Sequence, residues 1–140
     1  MAPIEDRISL TYTINWLRKN LKKKGVIGVA DFAVSFISDY LFDFRYGTST
    51  GGWIPASQLQ INSGNVEHSA RYQATKTRPF RKLLKKLSFP KNSVFVDVGA
   101  GKGKALLIAS GYGFERLSGI EFAHDLCEIA KSNVDVYRKT

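Results

Sequence analysis

Apolar residues at Leu10, Ile14, Leu17 and Leu21 recur three and four positions apart, the spacing of one helical face. They predict a first helix ending near Lys24-Gly25, where basic residues suit the negative end of the helix dipole. Val29, Phe32, Ala33, Phe36, Ile37, Tyr40 and Leu41 predict a second, strongly amphipathic helix, its aromatic stripe serving core or lid packing. Periodicity is lost from Phe44 to Gly64, a Gly/Ser/Thr-rich stretch (Gly47, Ser49, Gly51, Gly52) that Trp53 and Ile54 would anchor. Irregular connections of that length are often functional. Phe80, Leu83, Leu84 and Leu87 restore the helical period, with Thr77 as the expected cap and Pro79 in the first turn. Beyond residue 88 the pattern changes to short strands and helices in alternation: Ser93–Val98, Lys102–Ser110, Leu117–Glu121 and His124–Asn133. Such alternation predicts an α/β fold with a parallel sheet behind an N-terminal helical extension. The expected divisions are a helical extension over 1–46, an irregular connecting segment over 47–76, and an α/β region over 77–140.

The richest chemistry lies at the first strand-to-helix turn, Asp97-Val98-Gly99-Ala100-Gly101-Lys102-Gly103-Lys104. Glycines at alternate positions let backbone N–H groups approach a ligand, since no Cβ intervenes. The helix start behind them adds unpaired donors and partial positive charge. Asp97, at the strand end, suits an ammonium or hydroxyl partner rather than a phosphate. Glu121 ends the second strand 22 positions after Gly99. An acid so placed in a doubly wound sheet bonds ribose hydroxyls, so the crevice is expected to accept a nucleoside.

Spacing separates the possible nucleosides. A triphosphate loop requires glycine where Val98 stands and a hydroxyl where Ala105 stands, and fails twice. A dinucleotide fingerprint requires its third glycine where Lys104 stands, and fails once. The segment Val94 to Gly103 resembles motif I of class I S-adenosylmethionine-dependent methyltransferases, and Gly119-Ile120-Glu121-Phe122 resembles their second-strand motif. Upstream, Arg71-Tyr72-Gln73-Ala74-Thr75 is similar to a segment before motif I in a broad bacterial group of these enzymes. A comparable lead-in occurs in Dot1-type lysine methyltransferases.

The resemblance implies the N-terminal part of a Rossmann-like class I methyltransferase fold, with S-adenosyl-L-methionine as cofactor. It implies cofactor contacts from Asp97 (amino group), Gly99, Ala100, Gly101, Gly103, Glu121 (ribose) and Phe122 (adenine), with Tyr72 and Thr75 over the methionine end. For Tyr72 and Thr75, packing on the sheet edge and starting the next helix are equally good readings. The family's sheet has seven strands, whereas two are legible here. The chain is therefore expected to be incomplete and inactive alone, with catalytic residues and methyl acceptor unassigned.

Charge widens the range of functions. There are 21 Lys+Arg against 12 Asp+Glu. Eight basic residues and no acid lie between Arg71 and Lys91, and Arg18, Lys19, Lys22, Lys23 and Lys24 form a second cluster. Such blocks are usually solvated helix faces, but they also attract nucleic acid. A basic nucleic-acid-associating module without catalysis and an NAD-dependent oxidoreductase fragment are the alternatives to the methyltransferase. The lone Cys127 allows no internal disulfide, and His68 and His124 are too few for a histidine metal site, so a reducing, cytoplasmic setting and no metal are expected. Asp31, Asp39 and Asp43 interrupt the apolar stretch from Val26 to Phe44, and no membrane is expected as a partner.

Overall fold

The computed structural model describes residues 10–61 and 71–140; for residues 10–17, 20 and 24 it describes the backbone alone. The apolar face expected from Leu10, Ile14 and Leu17, and the side chain of His68, thus lie outside the described residues. The chain divides into two compact units between Val34 and Ser35.

Helix α1 runs Leu10–Tyr46 and is broken at Gly25, whose φ of 67° and ψ of 179° are not helical. The break falls where the sequence predicts the first helix to end, because glycine alone adopts such angles without a Cβ penalty. The second stretch extends past the expected Leu41 to Tyr46. By length and composition, Gly25–Tyr46 is apolar enough to cross a membrane.

The second unit holds the remaining elements. Strand β1 (Trp53–Ile54) pairs antiparallel with β2 (Tyr72–Gln73), Ile54 opposite Tyr72. A 3₁₀ turn, Ala56–Gln58, follows β1. Helix α2 (Thr77–Lys86) leads through a turn with Asn92 in the left-handed region to β3 (Val94–Val98). Then come α3 (Lys104–Ala109), a 3₁₀ turn, β4 (Arg116–Ile120) and α4 (His124–Tyr137).

Strands β3 and β4 are parallel and in register from Val94 opposite Arg116 to Val98 opposite Ile120. The alternation expected from the sequence is therefore a βαβ unit. Its packed side is built on Phe42, Leu84, Leu107, Ile108 and Ala109, with Phe95, Phe114, Leu117 and Tyr137 around them. Strand side chains alternate between faces. Phe95 and Leu117 join this core, whereas Val94, Val96, Val98 and Ile120 lie largely exposed on the other face.

The cap of α2 differs from expectation. Its N-cap residue is Lys76, with no side-chain cap, and Thr77 is the first helical residue. The Thr77 N–H instead donates to Asp39 Oδ1 of α1 at 2.8 Å. A carboxylate 38 residues away supplies what a local hydroxyl was expected to supply, because the α1 helix lays it at the positive end of α2.

Candidate functional site

Strand β3 carries Asp97 to the mouth of the sheet, and the chain then turns through Gly99, Gly101 and Gly103, all at positive φ. Close packing bears on one of these glycines and bare contact on another. A Cβ on Gly101 would overlap the Tyr72 ring, and one on Gly103 would touch Ala130 of α4. Gly99 faces open space, so there the backbone is bare toward the cleft.

The turn is tied to the end of β4. The N–H groups of Gly99 and Ala100 both donate to the Ile120 carbonyl, at 2.8 and 3.0 Å. Glu121 then accepts the Gly101 N–H through Oε2 at 2.7 Å and the Ala123 N–H through Oε1 at 2.9 Å. Each carboxylate oxygen retains a lone pair for another donor. Burial, and then the nearby Glu121 charge, push the Asp97 carboxyl above its usual range. The two strand ends thus form an acidic corner, which favours a ligand bearing a cation or hydroxyls.

A cleft of about 260 Å³ opens beside this corner. Among the residues expected from sequence, Tyr72, Thr75, Gly99, Ala100, Gly101, Glu121 and Phe122 line it, together with Leu59, Arg71, Gln73, Lys104 and Leu126. Asp97 is not part of this lining but lies near enough to Glu121 to feel its charge. Gly103 is placed at the start of α3 against Ala130.

Both lysines of the turn already have partners. Lys102 Nζ donates to the Gly51 carbonyl at 2.9 Å and lies 5.3 Å from the Tyr72 ring centroid. Burial holds its ammonium pKa below the ordinary value. Lys104, 2% exposed, bonds Asp39 Oδ1 at 3.1 Å. Both turn lysines are therefore bonded within the chain, and the cleft's arginine, Arg71, lies over the Trp53 ring at 5.8 Å.

Several contacts that shape the site were not expected from the sequence. Asp43 gathers the loop after α1: it accepts from the Thr48 hydroxyl, the Thr50 hydroxyl and N–H, and the Gly51 N–H, at 2.6 to 3.0 Å. Tyr72 Oη donates to the Thr50 carbonyl at 2.7 Å, and burial raises its phenol pKa. Asn133 of α4 accepts the Ser49 N–H and donates to the Lys102 carbonyl. The legible signal was two acids four apart, Asp39 and Asp43, in an otherwise apolar helix; a buried acid of that kind needs a partner.

A parallel βαβ unit with a glycine turn and acids at both strand ends is an arrangement shared with Rossmann-like folds. Residues 58–140 match the model of the family described as Histone methylation protein DOT1. The chain belongs to that family, one of S-adenosylmethionine-dependent methyltransferases. Neither the curated proteins nor the solved structures contain a match to it.

Proposed function

We propose that this chain supplies the cofactor-binding part of an S-adenosylmethionine-dependent methyltransferase. The observation that carries the reading is the acidic corner of Asp97 and Glu121 flanking the bare Gly99 turn, with Lys102 and Lys104 bound elsewhere. Such a corner repels the pyrophosphate of a dinucleotide and accommodates an ammonium group and a ribose diol. Asp97 would take the amino group, Glu121 the diol, and the exposed Phe122 ring would wall the adenine. Tyr72 and Thr75 would close over the methionine end. When bound, the cofactor supplies an electrophilic methyl group. The protein's own task is to position it, and positioning is a large part of what such a displacement needs.

The uncovered sheet face supports the companion reading that further elements complete the fold. A parallel sheet is ordinarily buried on both sides, and Val94, Val96, Val98 and Ile120 are bare. Acceptor and catalytic residues would come from those elements. Nucleic acid remains a proposed partner through α2, where Lys82, Lys85 and Lys86 are exposed on one element.

Amide NMR shifts test the cofactor reading at millimolar ligand. S-adenosylmethionine should shift the Gly99, Gly101 and Glu121 signals, and Glu121→Ala should weaken that response at least tenfold, since a charge-assisted hydrogen bond contributes about 1.5–3 kcal/mol. Shifts produced by NAD or ATP but not by S-adenosylmethionine would sink the proposal.

A further inference from the structure

The second stretch of α1 has two opposed faces within the second unit. Toward the core lie Phe42, Ser35 and the carboxylates of Asp39 and Asp43. On the opposite face Phe36, Ile37, Tyr40, Leu41 and Phe44 recur at i, i+1, i+4, i+5 and i+8, and each is more than half exposed. Five large apolar side chains in one stripe form a contact surface rather than a scatter of exposed residues.

Charge indicates what covers it. Thirteen residues earlier in sequence ends the cluster Arg18, Lys19, Lys22 and Lys23, exposed on the same helix, with no acid among them. The link of chain keeps this cluster within reach of whatever the stripe touches. At 100° per residue, Asp39 falls away from the stripe, and Asp43 lies at its Phe36 edge with its carboxylate held by Thr48, Thr50 and Gly51. An apolar helical face with aromatic residues and a neighbouring basic cluster is the pattern of a helix lying in an anionic bilayer interface.

The same contacts decide against spanning. Asp39 is held by Lys104, Lys76 and the Thr77 N–H, and Asp43 by Thr48, Thr50 and Gly51. Crossing the bilayer would strip both carboxylates of those partners, although Gly25–Tyr46 is long and apolar enough by composition. We propose that α1 docks this protein on an anionic lipid surface, with Phe36, Ile37, Tyr40, Leu41 and Phe44 in the headgroup region and the basic cluster on the lipid charges. This departs from the expectation, drawn from sequence, of no membrane contact, because that expectation weighed the aspartates against spanning only.

Co-sedimentation of the 140-residue chain with vesicles tests it. Vesicles of phosphatidylcholine mixed with phosphatidylglycerol should pellet the protein, and phosphatidylcholine alone should not. Phe36→Asp combined with Phe44→Asp should lower partitioning more than tenfold while circular dichroism stays unchanged, because both side chains point away from the core. Lys22→Glu with Lys23→Glu, a variant that leaves the stripe intact, should lower it by roughly fivefold or more per residue at low salt, a loss that shrinks as added salt screens the attraction in the parent chain. Absence of pelleting, equal pelleting with neutral vesicles, or lipid-independent self-association that the Phe variants abolish would each overturn the proposal. The last result would assign the stripe to a second copy of the chain.

Discussion

Lys104 Nζ meets Asp39 Oδ1 at 3.1 Å across 65 residues of sequence, with the lysine side chain 2% and the aspartate 13% exposed. This ion pair fastens the second stretch of α1 to the first turn of α3, immediately after the glycine turn. The same carboxylate accepts from Lys76 at 2.9 Å and from the first N–H of α2. One side chain thus fixes three helices around the cleft.

Asp39→Ala should therefore be among the most damaging single changes outside the hydrophobic core. It leaves Lys104 buried without a counter-charge, a loss of about 3–5 kcal/mol. Lys104→Met should cost less, since Asp39 keeps Lys76 and the Thr77 N–H. Urea midpoints at neutral pH measure both; equal losses would show that the pair does not dominate.

The acid limb of stability carries the same signature. Burial raises the Asp39 carboxyl, but the Thr77 N–H, Lys76 and Lys104 outweigh it and hold it below the ordinary carboxylate range. A carboxyl lowered on folding contributes stability that is full above its unfolded value and lost as pH falls through the folded one. Stability should drop below about pH 4, and Asp39→Asn should flatten that drop.

Asp97 should behave in the opposite sense. Burial and Glu121 raise its carboxyl, so the folded chain favours its protonated form and its ionisation opposes folding as pH rises. Asp97→Asn should raise the urea midpoint of the ligand-free protein at neutral pH, and should weaken S-adenosylmethionine binding. Gain of stability with unchanged binding would remove Asp97 from the cofactor site.

Gly101→Ala should destabilise by about 1–3 kcal/mol, through overlap with the Tyr72 ring and a left-handed φ of 53°. Tyr72→Leu should recover part of that loss, leaving the backbone strain. Thermal unfolding of the two single variants and the double variant gives the coupling.

Radiolabelled methyl transfer by residues 1–140 alone should be undetectable on protein and nucleic-acid acceptors alike. The cleft is bounded by the ends of two strands, while the opposite sheet face, Val94 to Ile120, is bare. Turnover by this chain would show that the site completes itself.

Local pattern determined the elements and much of the site. Period-two and period-3.6 spacing placed β3, β4, α3 and α4 within a few residues, because a strand or helix that buries one face must repeat its apolar residues at its own period. Glycines at alternate positions and an acid 22 residues on marked the turn and Glu121, since close backbone approach restricts which residues can stand there. What only the tertiary structure decided was pairing across distance. The capping of α2 by Asp39, the Asp43 knot around Thr50 and Gly51, the Tyr72 ring over Gly101 and the burial of Lys102 and Lys104 leave no periodic trace. Each joins residues separated by stretches of chain that carry no record of where they return, so an acid in an apolar helix reads only as an interruption until its partner is in place.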